Sequence, residues 1–215
     1  MRPAPVPRLP PHGAGQRIGL LGGSFNPPHA GHRHISLVAL RRLQLDAVWW
    51  LVTPGNPLKA LGALRPLDER LAAARQVARH PRIAVTDIEA QLGLRYTADV
   101  LAALCGRAPD ASFVWLMGAD NLAQFHRWRR WQEIAALMPL AVIDRPEATL
   151  RALHAPAAIA LADARVAEED ATTLAGRPPP AWIFLHGPRS ELSSTRLRTA
   201  ETDKPLNFQA SQQKP

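Results

Sequence analysis

The sequence contains a single cysteine, Cys105, among 215 residues. One thiol excludes an internal disulfide framework and a metal site built from several thiolates, so Cys105 is expected to be a small apolar residue on a helix. No apolar run reaches the roughly 20 residues of a membrane-spanning helix, and residues 1–15 lack the continuous apolar segment of a signal peptide. The sequence therefore predicts a cytoplasmic protein with no membrane partner.

Two common nucleotide-binding patterns are also missing from the chain. It has neither the lysine-containing P-loop pattern nor GxGxxG between a strand and a helix. P-loop NTPases and dinucleotide-binding dehydrogenases are therefore poor fits.

Acidic residues are fewer than basic ones, 18 against 26, which gives a formal net charge of +8. Such a balance suits anionic partners, nucleotides and nucleic acids alike. Most of the excess is arginine within predicted helices, where a solvated face explains it; examples are Arg41, Arg42, Arg70, Arg75 and Arg79. Charge alone therefore carries little weight, and we expect no nucleic-acid partner.

Short apolar segments typical of strands alternate with amphipathic segments typical of helices. We predict strands at 18–21, 47–53, 83–88, 112–117, 140–144 and 182–186, and helices at 32–43, 67–79 and 96–104. A short helical stretch containing Trp128 and Trp131 is expected after the strand at 112–117. This alternation, without internal repeats, predicts an α/β fold: one doubly wound, Rossmann-like parallel sheet with helices on both faces. We assign 16–200 to this single domain, 1–15 to a disordered proline-rich tail and 201–215 to a polar C-terminal tail.

Residues 16–34, QRIGLLGGSFNPPHAGHRH, organise the rest of the chain. A glycine pair ends the first predicted strand, and a helix is expected to follow the Asn-Pro-Pro turn. Unpaired N–H groups and the positive dipole end at a helix N-terminus favour a bound phosphate. His29 and His32 are three residues apart, so a first helical turn that includes both places two imidazole donors on one face.

Other polar groups fall where predicted strands end or helices begin. Lys59 follows the second strand, where it either reaches a triphosphate or faces solvent. Asp120 follows the strand at 112–117, where it contacts a ribose, an ammonium group or a hydrated metal, or caps a helix. Thr97 is a candidate N-cap. The cluster Ser193-Ser194-Thr195, with Arg198 near it, predicts a second phosphate-binding helix start.

GGSFNPPHAGH resembles the GxFxPxHxGH signature of the nucleotidyltransferase superfamily with the HxGH motif. Further along the chain, TPGNPLK, YTADVL, GADNLAQFHRW and LSSTRLR occur in the order and at the distances found in bacterial nicotinate-nucleotide adenylyltransferases. Over roughly residues 16–200 the chain resembles that family.

The resemblance implies a site for two nucleotides. Its ATP-binding residues would be Gly22, Gly23, Ser24, Phe25, Asn26, His29, His32, Ser193, Ser194, Thr195 and Arg198. Those that bind nicotinate mononucleotide would be Lys59, Thr97, Asp120 and Trp128. His29, His32 and Arg198 would be catalytic. Two departures from the family pattern are Asn26, where many relatives have aspartate, and Arg129, where some have an aromatic residue.

The implied reaction is attack by the phosphate of nicotinate mononucleotide on the α-phosphorus of ATP, which releases pyrophosphate and forms nicotinic acid adenine dinucleotide. A phosphate monoester has a second pKa near about 6, so the nucleophile is already ionised and no general base or covalent enzyme intermediate is expected. Mg²⁺ is expected to arrive with ATP rather than in a protein metal site.

Other assignments predict different features. Pantetheine-phosphate adenylyltransferases are usually shorter, and glycerol-phosphate cytidylyltransferases have a different C-terminal signature. An aminoacyl-tRNA synthetase would need a KMSKS-like loop and a larger chain. A non-catalytic RNA-binding module would bind RNA with steep salt dependence and release no pyrophosphate. The sequence leaves open the oligomeric state and how strictly nicotinate is preferred over nicotinamide mononucleotide.

Overall fold

The structure, a computed structural model, describes residues 7–55, 64–145 and 148–187. Within these ranges seven parallel strands form one sheet in the order β3-β2-β1-β4-β5-β7-β6. The strands are β1 Arg17–Gly23, β2 Ala47–Val52, β3 Ile83–Thr86, β4 Ser112–Gly118, β5 Leu140–Ile143, β6 Arg165–Val166 and β7 Trp182–Leu185.

Helices connect the strands and cover both faces of the sheet. They are α1 Ala30–Arg42, α2 Leu67–Ala78, α3 Ile88–Leu92, α4 Thr97–Arg107, α5 Ala119–Phe125, α6 Trp131–Leu137, α7 Thr149–Leu153 and α8 Pro156–Ala160, with 3-10 segments at Ala162–Ala164 and Glu168–Gly176. Among the residues described, no helix has the length and apolar character needed to cross a bilayer.

Each face of the sheet carries its own apolar core. Trp49 and Trp115 pack with α4, α5 and α6 on one face, whereas Trp50 packs with α1 and α2 on the other. Strands buried on both faces are nearly continuous apolar runs, which explains AVWWLV in β2 and SFVWLM in β4. The predicted doubly wound α/β fold is confirmed.

The strand order changes direction between β1 and β4, which are neighbours with Leu20 opposite Trp115. The chain proceeds from β1 toward β2 on one side and from β4 toward β5 on the other. Loops that leave adjacent strands in opposite directions leave a crevice at the carboxyl ends of the strands, where ligands bind in open α/β sheets. The segment 24–29 and the start of α5 border this crevice.

Several local predictions differ from the structure. Strand β6 and helix α3 were not predicted, because two and five residues are too few to show periodicity. Trp128, predicted within a helical stretch, lies in the turn between α5 and α6. Helix α4 begins at Thr97, but its N-cap is Tyr96 and no side chain caps it.

Residues 7–15 form no helix or strand, but they contact the domain. The backbone N–H of Arg8 donates to Oε1 of Gln91 at 2.8 Å, and that of Gly15 donates to the carbonyl of Asp110 at 2.7 Å. The ring of His12 meets the indole of Trp49 edge-on, with the ring centroids 5.4 Å apart.

Candidate active site

His29 and His32 lie at the start of α1, directly beyond the carboxyl end of β1. His29 is the N-cap in an extended conformation, and its Nδ1 accepts the backbone N–H of Gly31 at 3.1 Å. The Nδ1 of His32 accepts the backbone N–H of His29 at 3.2 Å. The two imidazoles therefore satisfy donors at this helix end that serine, threonine and acidic side chains satisfy elsewhere. Their ring centroids are 3.9 Å apart.

Both imidazoles are neutral in the folded protein. Burial, followed by the charge of Arg145, lowers the pKa of His29 to about 4. Burial also lowers the pKa of His32 well below its ordinary value, and the charge of Arg145 and that of His29 in its protonated form add to this effect. Because each Nδ1 accepts a hydrogen bond, the single proton of each neutral ring resides on Nε2. Each ring is left with one N–H donor.

Aromatic packing fixes the position of His32. The Phe25 ring lies 4.6 Å from the His32 ring and stacks on Trp50 at 5.0 Å with a 17° interplanar angle. The indole N–H of Trp50 donates to the Ser36 hydroxyl at 2.8 Å, and that hydroxyl donates to the carbonyl of His32 at 3.0 Å. Phe25 has φ 45°, a left-handed conformation that costs on the order of 1–3 kcal/mol outside glycine and persists only in a well-packed setting.

An ion pair beside the histidines was not predicted from the sequence. Nε of Arg145, just after β5, lies 3.3 Å from Oδ1 of Asp120, in the first turn of α5, and the Arg145 side chain is only 14% exposed. A Cβ at Gly118 would lie 2.5 Å from that Asp120 oxygen and 2.7 Å from Nε of Arg145, so any side chain at this position would force the ion pair to shift. The sequence shows only that Arg145 follows the predicted strand at 140–144, and its closeness to Asp120 depends on the pairing of β5 with β4 in the sheet.

The end of β1 and the residues after it, 22–26, are held by contacts that sequence spacing did not reveal. A Cβ at Gly22 would lie 2.4 Å from Cη2 of Trp115, so the glycine lets that indole lie across β1. The backbone N–H of Thr53 donates to the Gly23 carbonyl at 3.0 Å. Asn26 is buried, and its Oδ1 accepts the backbone N–H of Arg65 at 3.3 Å. This side chain thereby connects residues 24–29, the histidine loop, to the segment before α2.

The prediction that Arg70 lies on a solvated helix face is wrong. Arg70 is 2% exposed. Its guanidinium donates to backbone carbonyls of the loops that follow β1 and β2, including that of Ser24 at 2.7 Å. Helical spacing could not separate it from exposed neighbours such as Arg75, because the loops that cover Arg70 are remote from α2 in the sequence.

Of the residues predicted for the pyridine nucleotide, Thr97, Asp120 and Trp128 are described, and they lie on the opposite face of the sheet from α1. Trp128 meets Trp115 edge-on with the ring centroids 6.2 Å apart, and Phe125 at 5.4 Å. Because Trp115 also packs on Gly22, this aromatic cluster adjoins β1 close to where the histidine loop begins.

The turn that carries Trp128 is attached to the start of α4. The guanidinium of Arg129 lies 4.3 Å above the ring of Tyr96, and Arg130 forms an ion pair with Asp99. Trp128, Arg129 and the first backbone N–H groups of α4, near Thr97, are therefore brought to one region of the molecule.

Five of the predicted site residues lie outside the described residues. They are Lys59, Ser193, Ser194, Thr195 and Arg198, and the predicted second helix start at Ser193 or Ser194 lies there too. Within the part of the chain that the structure describes, no group of three histidine, cysteine, aspartate or glutamate side chains has metal-binding geometry.

Comparison with known proteins identifies the family. Residues 20–200 match the family described as Cytidylyltransferase-like. A protein of Methylorubrum extorquens named "Probable nicotinate-nucleotide adenylyltransferase" is 67% identical over 183 residues, which are 85% of this chain and 99% of that protein. The chain belongs to the nicotinate-nucleotide adenylyltransferases. A family member of the same name from Brucella abortus is 56% identical over 187 residues, 87% of this chain and 96% of that protein.

A solved structure of this family shows the same fold. It is the Plasmodium falciparum nicotinic acid mononucleotide adenylyltransferase complexed with NaAD, which has a TM-score of 0.64 and 15% identity. The match covers 86% of this chain and 83% of that chain. The resemblance inferred from the motifs is therefore confirmed for family and fold.

Proposed function

We propose that the chain transfers the adenylyl group of ATP to nicotinate mononucleotide, forming nicotinic acid adenine dinucleotide and pyrophosphate. One structural observation carries this proposal beyond the family name. Two neutral imidazoles, each with its remaining donor on Nε2, begin a helix at the point where the strand order changes direction, and the charge of Arg145 acts on both. Fixed donors beside a cation suit a triphosphate whose α-phosphorus is attacked.

The chemistry needs alignment and charge stabilisation rather than a base. The phosphate of the mononucleotide has a second pKa near about 6 and is ionised at neutral pH. One of its oxygens attacks the α-phosphorus in line with the departing pyrophosphate, and no bond to the enzyme forms. Good orientation supplies up to about 7–11 kcal/mol of such a barrier. In the proposed reaction the Nε2–H groups of His29 and His32 and the guanidinium of Arg145 stabilise the charge on the phosphoryl oxygens.

In the proposed site Mg²⁺ is carried on the phosphates of ATP. The donors near the histidines suit this arrangement, because neutral imidazoles and a guanidinium bind phosphate oxygens and the Asp120 carboxylate is paired with Arg145. When bound, the ion neutralises charge on the triphosphate. The remaining triphosphate contacts are assigned by resemblance to Ser193, Ser194, Thr195 and Arg198, and Lys59 is assigned to nicotinate mononucleotide.

We assign the pyridine ring to Trp128 and its carboxylate to the start of α4. The N–H groups near Thr97 are donors, and Arg129 adds a positive charge beside Tyr96. Asp99 in the same helical turn pairs with Arg130, which also pairs with Glu133. Donors and a cation suit a carboxylate better than an amide, whose NH₂ group needs an acceptor. The proposal therefore favours nicotinate over nicotinamide mononucleotide.

The direct test is pyrophosphate release with ATP and Mg²⁺ plus each mononucleotide in turn. We expect turnover with nicotinate mononucleotide and a kcat/KM at least about tenfold lower with the amide. The His29→Ala/His32→Ala double variant is the control for contaminating activity. Turnover with neither mononucleotide, or a clear preference for the amide, would contradict the proposal.

A second measurement tests the single displacement. With ATP chiral at the α-phosphorus through a sulfur substitution, one in-line attack inverts the configuration. Retention would show two displacements and hence a covalent intermediate. We expect inversion, and we expect no radiolabel on acid-precipitated enzyme after incubation with α-labelled ATP alone.

A further inference from the structure

Arg70 is a buried cation that the chemistry above does not use. It lies in the first turn and a half of α2 and is 2% exposed, whereas Arg75 on the same helix is exposed. Within the described ranges no carboxylate pairs with it. A guanidinium removed from water is stable only when its donors are satisfied.

All of its observed partners are backbone carbonyls. Nη1 donates to the carbonyls of Ser24 at 2.7 Å and Thr53 at 2.8 Å. Nη2 donates to that of Pro54 at 3.2 Å, and Nε donates to that of Arg65 at 2.9 Å. These carbonyls lie just beyond the ends of β1 and β2 and just before α2, where regular secondary structure no longer pairs them. One planar group with five N–H donors can join three segments in this way, and an ammonium group cannot.

The three segments joined by Arg70 lead directly to the histidines. Ser24 lies five positions before His29, and Phe25 between them has the left-handed conformation that needs support. The connection is reinforced by the N–H of Thr53 on the Gly23 carbonyl and the N–H of Arg65 on Asn26. Movement of the Ser24 carbonyl would therefore displace the Phe25 ring that packs against His32.

We propose that Arg70 is a positioning residue for adenylyl transfer: by binding the carbonyls of Ser24, Thr53, Pro54 and Arg65, it holds the histidine loop against the loop after β2. This inference rests on the proposed function for its kinetic consequence. Arg70 touches no substrate and acts through the placement of His29 and His32.

The kinetic test compares Arg70→Ala and Arg70→Lys with Arg75→Ala as the matched control on the same helix. We expect kcat to fall at least about fiftyfold in Arg70→Ala and at least about tenfold in Arg70→Lys, with KM for ATP changed less than about fivefold. Addition of ethylguanidinium should restore Arg70→Ala at least about fivefold, whereas ethylammonium should not. Wild-type kcat per folded molecule in Arg70→Ala, or equal activity in Arg70→Lys and wild type, would overturn the proposal.

Two further readouts separate positioning from loss of folding and from failure of the proposed function. Calorimetric titration with a non-hydrolysable ATP analogue counts the folded, binding-competent molecules, to which kcat is normalised. Amide hydrogen exchange in peptides covering 24–29 needs no activity, and we expect it to be at least about tenfold faster in Arg70→Lys than in wild type and Arg75→Ala. Unchanged exchange would overturn the role of Arg70, while an inactive wild type with this exchange pattern would overturn only the proposed reaction.

Discussion

The backbone N–H of His29 donates to Nδ1 of His32, so one histidine orients the other at the start of α1. The bond fixes the His32 tautomer, and the stacked neighbours Phe25 and Trp50 fix the ring position. A donor held in this way needs no reorganisation when charge develops on a phosphate, which is the condition for strong transition-state stabilisation.

His32→Ala is expected to lower kcat at least about a hundredfold, the usual size for a lost transition-state donor, with a smaller change in KM for ATP. His32→Gln should retain more activity than His32→Asn, because the glutamine amide reaches nearer the position of Nε2. Steady-state kinetics measure both, with exposed His154→Ala as the control. Equal losses in binding and turnover would remove His32 from the transition state.

The low pKa of His29 predicts in which direction the free energy of unfolding changes with pH. Its pKa is about 4 in the folded protein against an ordinary 6.5, a difference worth about 3 kcal/mol. Between these values the unfolded chain binds more protons, so the free energy of unfolding rises with pH. Urea unfolding of wild type and His29→Asn near about pH 4.5 and pH 7 should show a steeper pH dependence in wild type. A His29 ring that titrates near its ordinary value by ¹⁵N NMR would contradict this.

The buried carboxyl of Glu89 should change the free energy of unfolding with pH in the direction opposite to His29. Burial raises its pKa to about 7, and a hydrogen bond with Thr53 opposes the rise only in part. Between its ordinary value of 4.5 and about 7 the folded protein binds more protons, so this carboxyl makes stability fall as pH rises. The free energy of unfolding of Glu89→Gln should therefore be up to about 3 kcal/mol higher than that of wild type near pH 8. Near pH 4.5 the two free energies of unfolding should be about equal. Exposed Glu69→Gln is the matched control, and an equal effect of both substitutions would refute the argument.

Trp128→Ala is expected mainly to raise KM for nicotinate mononucleotide. Ring stacking is made in the ground and transition states alike, so its loss affects binding more than kcat. For Trp128→Phe, KM for nicotinate mononucleotide should lie between the values of Trp128→Ala and wild type. In both variants KM for ATP should change little. An unchanged KM for the mononucleotide in Trp128→Ala would exclude the stacking role.

Arg145→Gln should change two separate observables. Removing its charge should raise the pKa of His29 in the ligand-free protein, because Arg145 is the second cause of that low pKa after burial. It should also lower kcat at least about tenfold if the guanidinium stabilises phosphoryl charge. NMR titration and kinetics measure the two effects, and Arg151→Gln on the exposed face of α7 is the control. A lower kcat with no change in the pKa of His29 would show that the charge of Arg145 does not act on His29.

Sequence patterns predicted the six longer strands, five from short apolar runs and β3 from its alternation of apolar and polar residues, and α1 from its apolar spacing. They did not predict β6, which owes its two-residue pairing to the neighbouring β7. The histidine motif is local and could be recognised directly. The contribution of Arg145 could not, because β5 and β4 become neighbours only in the sheet.

By itself, the sequence determined the alternation of strands and helices, the histidines at a helix start and the family, because each depends on residues that are close along the chain. Tertiary structure alone decided that Arg70 is buried, that Arg145 pairs with Asp120, and that both imidazoles are neutral. These properties depend on which distant segments exclude water from a charged group, and spacing along the chain carries no information about that.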